Sequence, residues 1–131
     1  MHLFTYGTLM FAEVWRRVVP REFATEQATV RGYRVRRAAG ELFPVMMPAE
    51  ADAAVTGVVY FDVDVASLAL LDEYESTLYD RVGLTAVLPD GRQIECQGYV
   101  LPHDKACFAS NEPWTPEWFR EHGLRRYLAA W

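Results

Sequence analysis

Residues 82–88 and 93–101 are two runs in which apolar and polar side chains alternate, separated by Pro89, Asp90, Gly91 and Arg92. Alternation with a period of two marks a half-buried strand. A Pro-Asp-Gly sequence reverses the chain, because proline presets φ and glycine accepts positive φ. The segment therefore reads as an antiparallel hairpin, and the remaining sequence has to supply the rest of a sheet. Residues 54–61 (AVTGVVYF) are nearly continuously apolar and β-branched, the pattern of a strand central in a sheet. Residues 2–6 form a short strand ending at Gly7. Residues 28–37 alternate as one strand, with Gly32 at a bulge or a close backbone approach. An apolar run over 41–47 is interrupted by Pro44 and stopped by Pro48, and its Met46 and Met47 read as core packing.

Helical patterns lie between and after these strands. One spans about residues 11–19 and is closed by Pro20; a second is capped by Asp64. A third spans about 117–130, where Thr115 and Pro116 fit an N-cap followed by proline at the first helical position. Its aromatic face is expected to pack on the sheet, with dimerisation through that face as the alternative. This order gives an α+β chain of one domain, residues 1–131, with a core over about 2–101 and a helical tail over about 112–131. Its sheet is able to close into a small mixed β-barrel flanked by short helices.

A chain of 131 residues that is 51% hydrophobic and 14% aromatic can bury a real core. It contains no apolar run near the ~20 residues that span a bilayer. The net charge of −5 leaves no electrostatic footprint for nucleic acid or anionic lipid, and Arg31, Arg34, Arg36 and Arg37 read as a solvated strand face. Cys96 and Cys107 cannot build a disulfide framework, and the first residues lack the pattern of a signal peptide. A reducing, cytoplasmic setting is expected. His2, His103 and His122 are scattered, and Asp62 and Asp64 supply too few oxygens for a hard cation, so no metal or cofactor site is expected.

Two features remain for chemistry. Stepping about 100° per residue from Asp64, Leu68 and Leu71 share a stripe and Glu75 falls about 20° from Leu68, on the core side. Glu73 lies roughly 140° away and faces water. An inward carboxylate costs several kcal/mol unless its pKa rises or a partner is supplied, which suits a proton-transfer residue. The bland alternative is a glutamate past the helix end that accepts hydrogen bonds or pairs with Arg81. The second feature is Tyr6-Gly7-Thr8-Leu9, where a strand turns into a helix and successive backbone N–H groups can bind an anion or a developing oxyanion. Many ordinary strand-to-helix turns look the same. Thr8 as a nucleophile has no local base.

Tyr6-Gly7-Thr8-Leu9, followed in order by Gly32-Tyr33, Pro44, Val55-Thr56-Gly57-Val58, Leu71-Asp72-Glu73-Tyr74-Glu75, Tyr79, Arg81 and Tyr99-Val100, resembles the γ-glutamylcyclotransferase-like superfamily in its AIG2-like, γ-glutamylamine cyclotransferase branch. The resemblance covers roughly residues 3–101. It implies a small β-barrel and a cofactor-free reaction that releases 5-oxoproline. It further implies Glu75 as general acid/base, with Tyr6, Gly7, Thr8, Leu9 and Tyr79 binding a small γ-glutamyl substrate. Arg81 either binds substrate or pairs with a carboxylate. The family pattern has glycine directly after the catalytic glutamate, and this chain has Ser76. That departure leaves a second reading of the same fold, a non-catalytic module recognising γ-glutamyl-like ligands. Monomer and homodimer are both compatible with the sequence.

Overall fold

The computed structural model describes residues 1–131. Its strands are β1 (Leu3–Thr5), β2 (Thr25–Arg31), β3 (Tyr33–Arg37), β4 (Pro44–Pro48), β5 (Ala54–Tyr60), β6 (Asp80–Val87) and β7 (Gln93–Val100). Its α-helices are α1 (Ala12–Val18), α2 (Val65–Glu75), α3 (Pro116–His122) and α4 (Leu124–Ala129). Five strands form a closed barrel in the order β1-β5-β2-β6-β7, and β3 and β4 make a separate two-stranded sheet. The barrel closes where Leu3 of β1 pairs in parallel with Gln97 of β7; its other pairings are antiparallel. The α+β barrel expected from the sequence is therefore present.

The 82–101 hairpin is present, with Val87 opposite Gln93 and Gly91 at φ = 91° in the turn. Its alternation sends Leu84, Ala86 and Cys96 into the barrel, where they meet Phe4, Val30, Val59 and Val100. β5 lies between β1 and β2. Its apolar character follows from burial on both faces toward its C-terminal end, where Val59 points into the barrel and Tyr60 lies under the helices, while Ala54 and Thr56 are exposed. The same division separates Leu3 from Phe4 and Tyr99 from Val100. The outer layer is a second core in which Val14 and Trp15 of α1, Leu68 and Leu71 of α2, and Phe119 of α3 cover the barrel wall. Trp15 stacks on Tyr60 with ring centroids 3.7 Å apart.

Several local expectations need correction. Residues 28–37 are two strands in two different sheets. Gly32, at φ = 84°, ends β2 and redirects the chain, because alternation does not reveal a change of sheet. Pro44 and Pro48 bracket β4 rather than interrupting it, as proline fits the ends of a strand in a small sheet. The tail helix is broken at Gly123 into α3 and α4, although Thr115 does cap α3 by accepting from the Trp118 N–H at 3.0 Å. Its aromatic face packs mainly on the helical side, with Phe119 against Phe11 and Trp114. The basic cluster is only partly solvated, since Arg37 pairs with Glu112 and lies over the Trp118 ring. A 3₁₀ segment, His103–Phe108, had no signal in the sequence. No helix is long and apolar enough to cross a membrane.

Candidate active site

Two elements meet at one end of the barrel. Asp64 caps α2 by accepting from the Ser67 N–H at 3.3 Å and from the Ser67 hydroxyl at 2.6 Å. The helix then runs unbroken to Glu75, so the helical phase holds to its last residue: Leu68 and Leu71 are buried, Glu73 is exposed and Glu75 turns inward. Opposite it, the chain leaves β1 at Thr5, turns at Gly7 and enters a 3₁₀ turn over Thr8–Met10 before α1. A Cβ on Gly7 would stand 2.8 Å from Pro44 Cγ, so glycine is what lets this turn sit against β4. Within the turn, Met10 N–H donates to the Gly7 carbonyl and Phe11 N–H to the Thr8 carbonyl, both at 3.1 Å. The N–H groups of Gly7, Thr8 and Leu9 have no protein acceptor.

These residues line a common cavity of about 190 Å³. Glu75, Tyr6, Gly7, Thr8, Leu9 and Tyr79 all border it, so every site residue expected from the sequence is brought together. The hydroxyls around the cavity are largely committed elsewhere. Tyr6 donates to the Tyr99 carbonyl and Tyr79 to the Pro44 carbonyl, each at 2.7 Å. Thr8 Oγ1 lies 2.8 Å from Tyr74 Oη, which is hydrogen-bonded in turn to the Tyr127 hydroxyl of α4. Tyr6 and Tyr79 therefore offer ring faces and edges rather than free hydroxyls. Burial, reinforced by neighbouring ionisable groups, holds both phenols protonated well above the ordinary range.

Glu75 is left without a hydrogen-bonding or ionic partner. Its carboxyl oxygens look onto the cavity, and desolvation by the surrounding protein pushes its pKa up to about 8. It also occupies the C-terminal end of a helix, where the backbone dipole offers an anion no support. Arg81 is committed away from Glu75: it binds Asp72 bidentately at 3.0 and 3.2 Å and also bonds Gln97. Tyr99 donates to the same Asp72 carboxylate at 2.7 Å. Of the two roles open to Arg81, the geometry supports the structural pairing.

Asp72 is the anchor that ties α2 to β6 and β7 one turn before Glu75. Tyr74, Tyr127, Phe43 and Pro44 also line the cavity without having been singled out as site residues. The aromatic tail and the lone prolines gave no phase information relative to Glu75, so only tertiary structure places them. No group of three His, Cys, Asp or Glu side chains is arranged to hold a metal ion.

Comparison with known proteins adds a family-level observation. The model of the family described as gamma-glutamyl cyclotransferase, AIG2-like, matches residues 3–118. AIG2-like protein D of Arabidopsis thaliana is 33% identical over 103 residues, covering 76% of this chain and 67% of that protein. A solution structure from Arabidopsis thaliana superposes with a TM-score of 0.74 at 22% identity, covering 98% of this chain and 78% of that one. A structure described as a gamma-glutamyl cyclotransferase superposes with a TM-score of 0.64 at 17% identity, covering 99% of this chain and 84% of that one. At these identities the structural likenesses speak for the fold.

Proposed function

The chain belongs to the γ-glutamyl cyclotransferase, AIG2-like family, and on that premise we propose that it cyclises small γ-glutamyl compounds without a cofactor, with Glu75 as the general acid/base. The observation carrying this reading is the unpartnered, desolvated Glu75 carboxyl facing the same cavity as Gly7, Thr8 and Leu9, whose N–H groups are free.

The substrate carries its own nucleophile. Its neutral α-amine attacks the γ-carbonyl carbon, forming the C–N bond of a five-membered lactam. The excess proton on that nitrogen passes to the Glu75 carboxylate. As the original C–N bond breaks, Glu75 returns the proton to the departing nitrogen, so 5-oxoproline and an amine or amino acid leave and Glu75 ends ionised, as it began. Raising the Glu75 carboxyl to about 8 makes it a stronger base than an ordinary carboxylate and brings it closer to the amine it must deprotonate. The cavity wall holds the chain folded for attack, and the free N–H groups of the Gly7 turn are suited to the substrate carboxylate or the developing oxyanion.

An LC–MS assay offering γ-glutamyl amino acids, γ-glutamyl amines and glutathione should detect 5-oxoproline. Glu75→Gln should lower the rate by about 10²–10⁴-fold. With wild type, kcat/KM should rise with pH through about 8 as Glu75 becomes the ionised base. Absence of 5-oxoproline from every substrate would end the proposal.

A further inference from the structure

We propose that a second depression, opening from the reaction cavity toward α4, holds the departing group and favours aromatic α-amino acids, with Arg126 receiving their carboxylate. This rests on the cyclisation reading for what occupies the first cavity. At about 190 Å³ that cavity is smaller than the ~300 Å³ at which ordinary ligand sites begin, so it takes an acyl head and little more. Whatever is attached to the γ-nitrogen must project through a mouth.

Two depressions adjoin the cavity. One shares Ser76, Tyr79 and Tyr99 with it and is polar, carrying Asp72 and Asp80 while its single cation, Arg81, is already held by Asp72. A carboxylate would be repelled there. The other shares Phe43, Tyr74 and Tyr127 with the cavity and is mostly apolar. Trp131 stacks against Tyr74 with centroids 5.5 Å apart and planes 14° apart, with the Arg17 guanidinium over the Trp131 ring, so the depression has an aromatic wall. Arg126 borders it with no carboxylate partner, and so does Glu41, with no cation partner.

In a γ-glutamyl dipeptide the carboxylate and the side chain branch from the carbon next to the scissile nitrogen, so both enter this depression together. An aromatic ring gains from the Tyr74 and Trp131 surface and a carboxylate from Arg126. A second negative charge on the leaving group would be opposed by Glu41.

Binding is best read in Glu75→Gln, where turnover is removed, by titrating γ-glutamylphenylalanine, γ-glutamylalanine and γ-glutamylphenethylamine calorimetrically. The phenylalanine compound should bind about tenfold more tightly than the alanine compound. Removing the carboxylate, as in the phenethylamine compound, should weaken binding about threefold. In the same background Arg126→Ala should abolish the second difference, and Trp131→Ala should shrink the first. Both positions are exposed, and melting curves verify that the variants remain folded. Equal affinities for the three compounds, or preferences unmoved by the two substitutions, overturn the inference. Cyclisation by wild type is scored separately, so a preference without turnover defeats only the catalytic reading, and turnover without a preference defeats only this one.

Discussion

Ser76 holds φ = 60° and ψ = −159°, a backbone conformation that glycine enters freely and other residues enter at a cost of about 1–3 kcal/mol. The family resemblance leads to an expectation of glycine at this place, directly after the glutamate. This chain keeps the turn and carries the strain, so the Glu75 carboxyl still faces the cavity. The hydroxyl compensates weakly, accepting from the Leu78 N–H at 3.5 Å. Ser76→Gly should therefore stabilise the domain by about 1 kcal/mol, raising the melting temperature by about 3 °C, with glycine's greater unfolded-state entropy setting the upper limit. Ser76→Val should destabilise it, because a β-branched side chain fits this region worse still. Equal melting temperatures for serine and valine would mean that the turn is not adopted in solution. The inward direction of Glu75 was legible from Leu68 and Leu71, since the helix continues to that residue. The partner of Arg81 was not, because four carboxylates lie within ten residues before it and helical phase does not rank them.

At the scale of elements, the site depends on how the end of α2 is held. Glu75 is the last residue of that helix and has no bond of its own, so its position is inherited from Asp72, whose carboxylate joins Arg81 of β6 and Tyr99 of β7. Asp72→Asn preserves shape but removes the charge from a bidentate pair. Both side chains are partly solvated, which limits the expected loss of stability to about 1 kcal/mol. On the proposed reading of Glu75 the effect on turnover should be larger, a fall of about tenfold, because small displacements of a proton-transfer group are amplified in rate. Turnover measured beside a melting curve separates the two, and a variant that loses stability while keeping full turnover would remove Asp72 from any positioning role. Element boundaries were legible where a local signal exists, as at Asp64, Thr115 and Pro89 to Arg92. They were missed where the cause is tertiary. Gly32 separates two sheets and Gly123 splits the tail helix, yet in sequence the first reads as a bulge within one strand and the second as an interior position of one helix.

For the molecule as a whole, the barrel was legible because alternation and continuous apolarity report which strand faces are covered. The closing β1–β7 contact was not, resting as it does on a single parallel pair with no local pattern. Enclosing the site between barrel and helices also gives stability a particular dependence on pH. Glu75 titrates near 8 when folded, against a reference of 4.5, so between those values the folded state binds the extra proton and stability must fall as pH rises. The full loss is up to about 5 kcal/mol, complete above pH 8. A second decline begins near pH 10, where phenols that burial keeps protonated when folded, Tyr60 up to about 12 and Tyr74, Tyr79 and Tyr99 higher, ionise first in the unfolded chain. Asp64 and Asp90, whose hydrogen bonds lower their pKa, act in the opposite sense and withdraw support as pH falls through the acid range. Stability should thus peak at mildly acidic pH. Urea unfolding of wild type and Glu75→Gln at pH 5.5, 8.5 and 10.5 isolates the glutamate. The variant should be nearly level between the first two values, where wild type declines, and both should weaken at the third. Parallel curves across the lower interval would show that Glu75 ionises normally in the folded protein, and the matched proton transfer assigned to it would lose its physical basis.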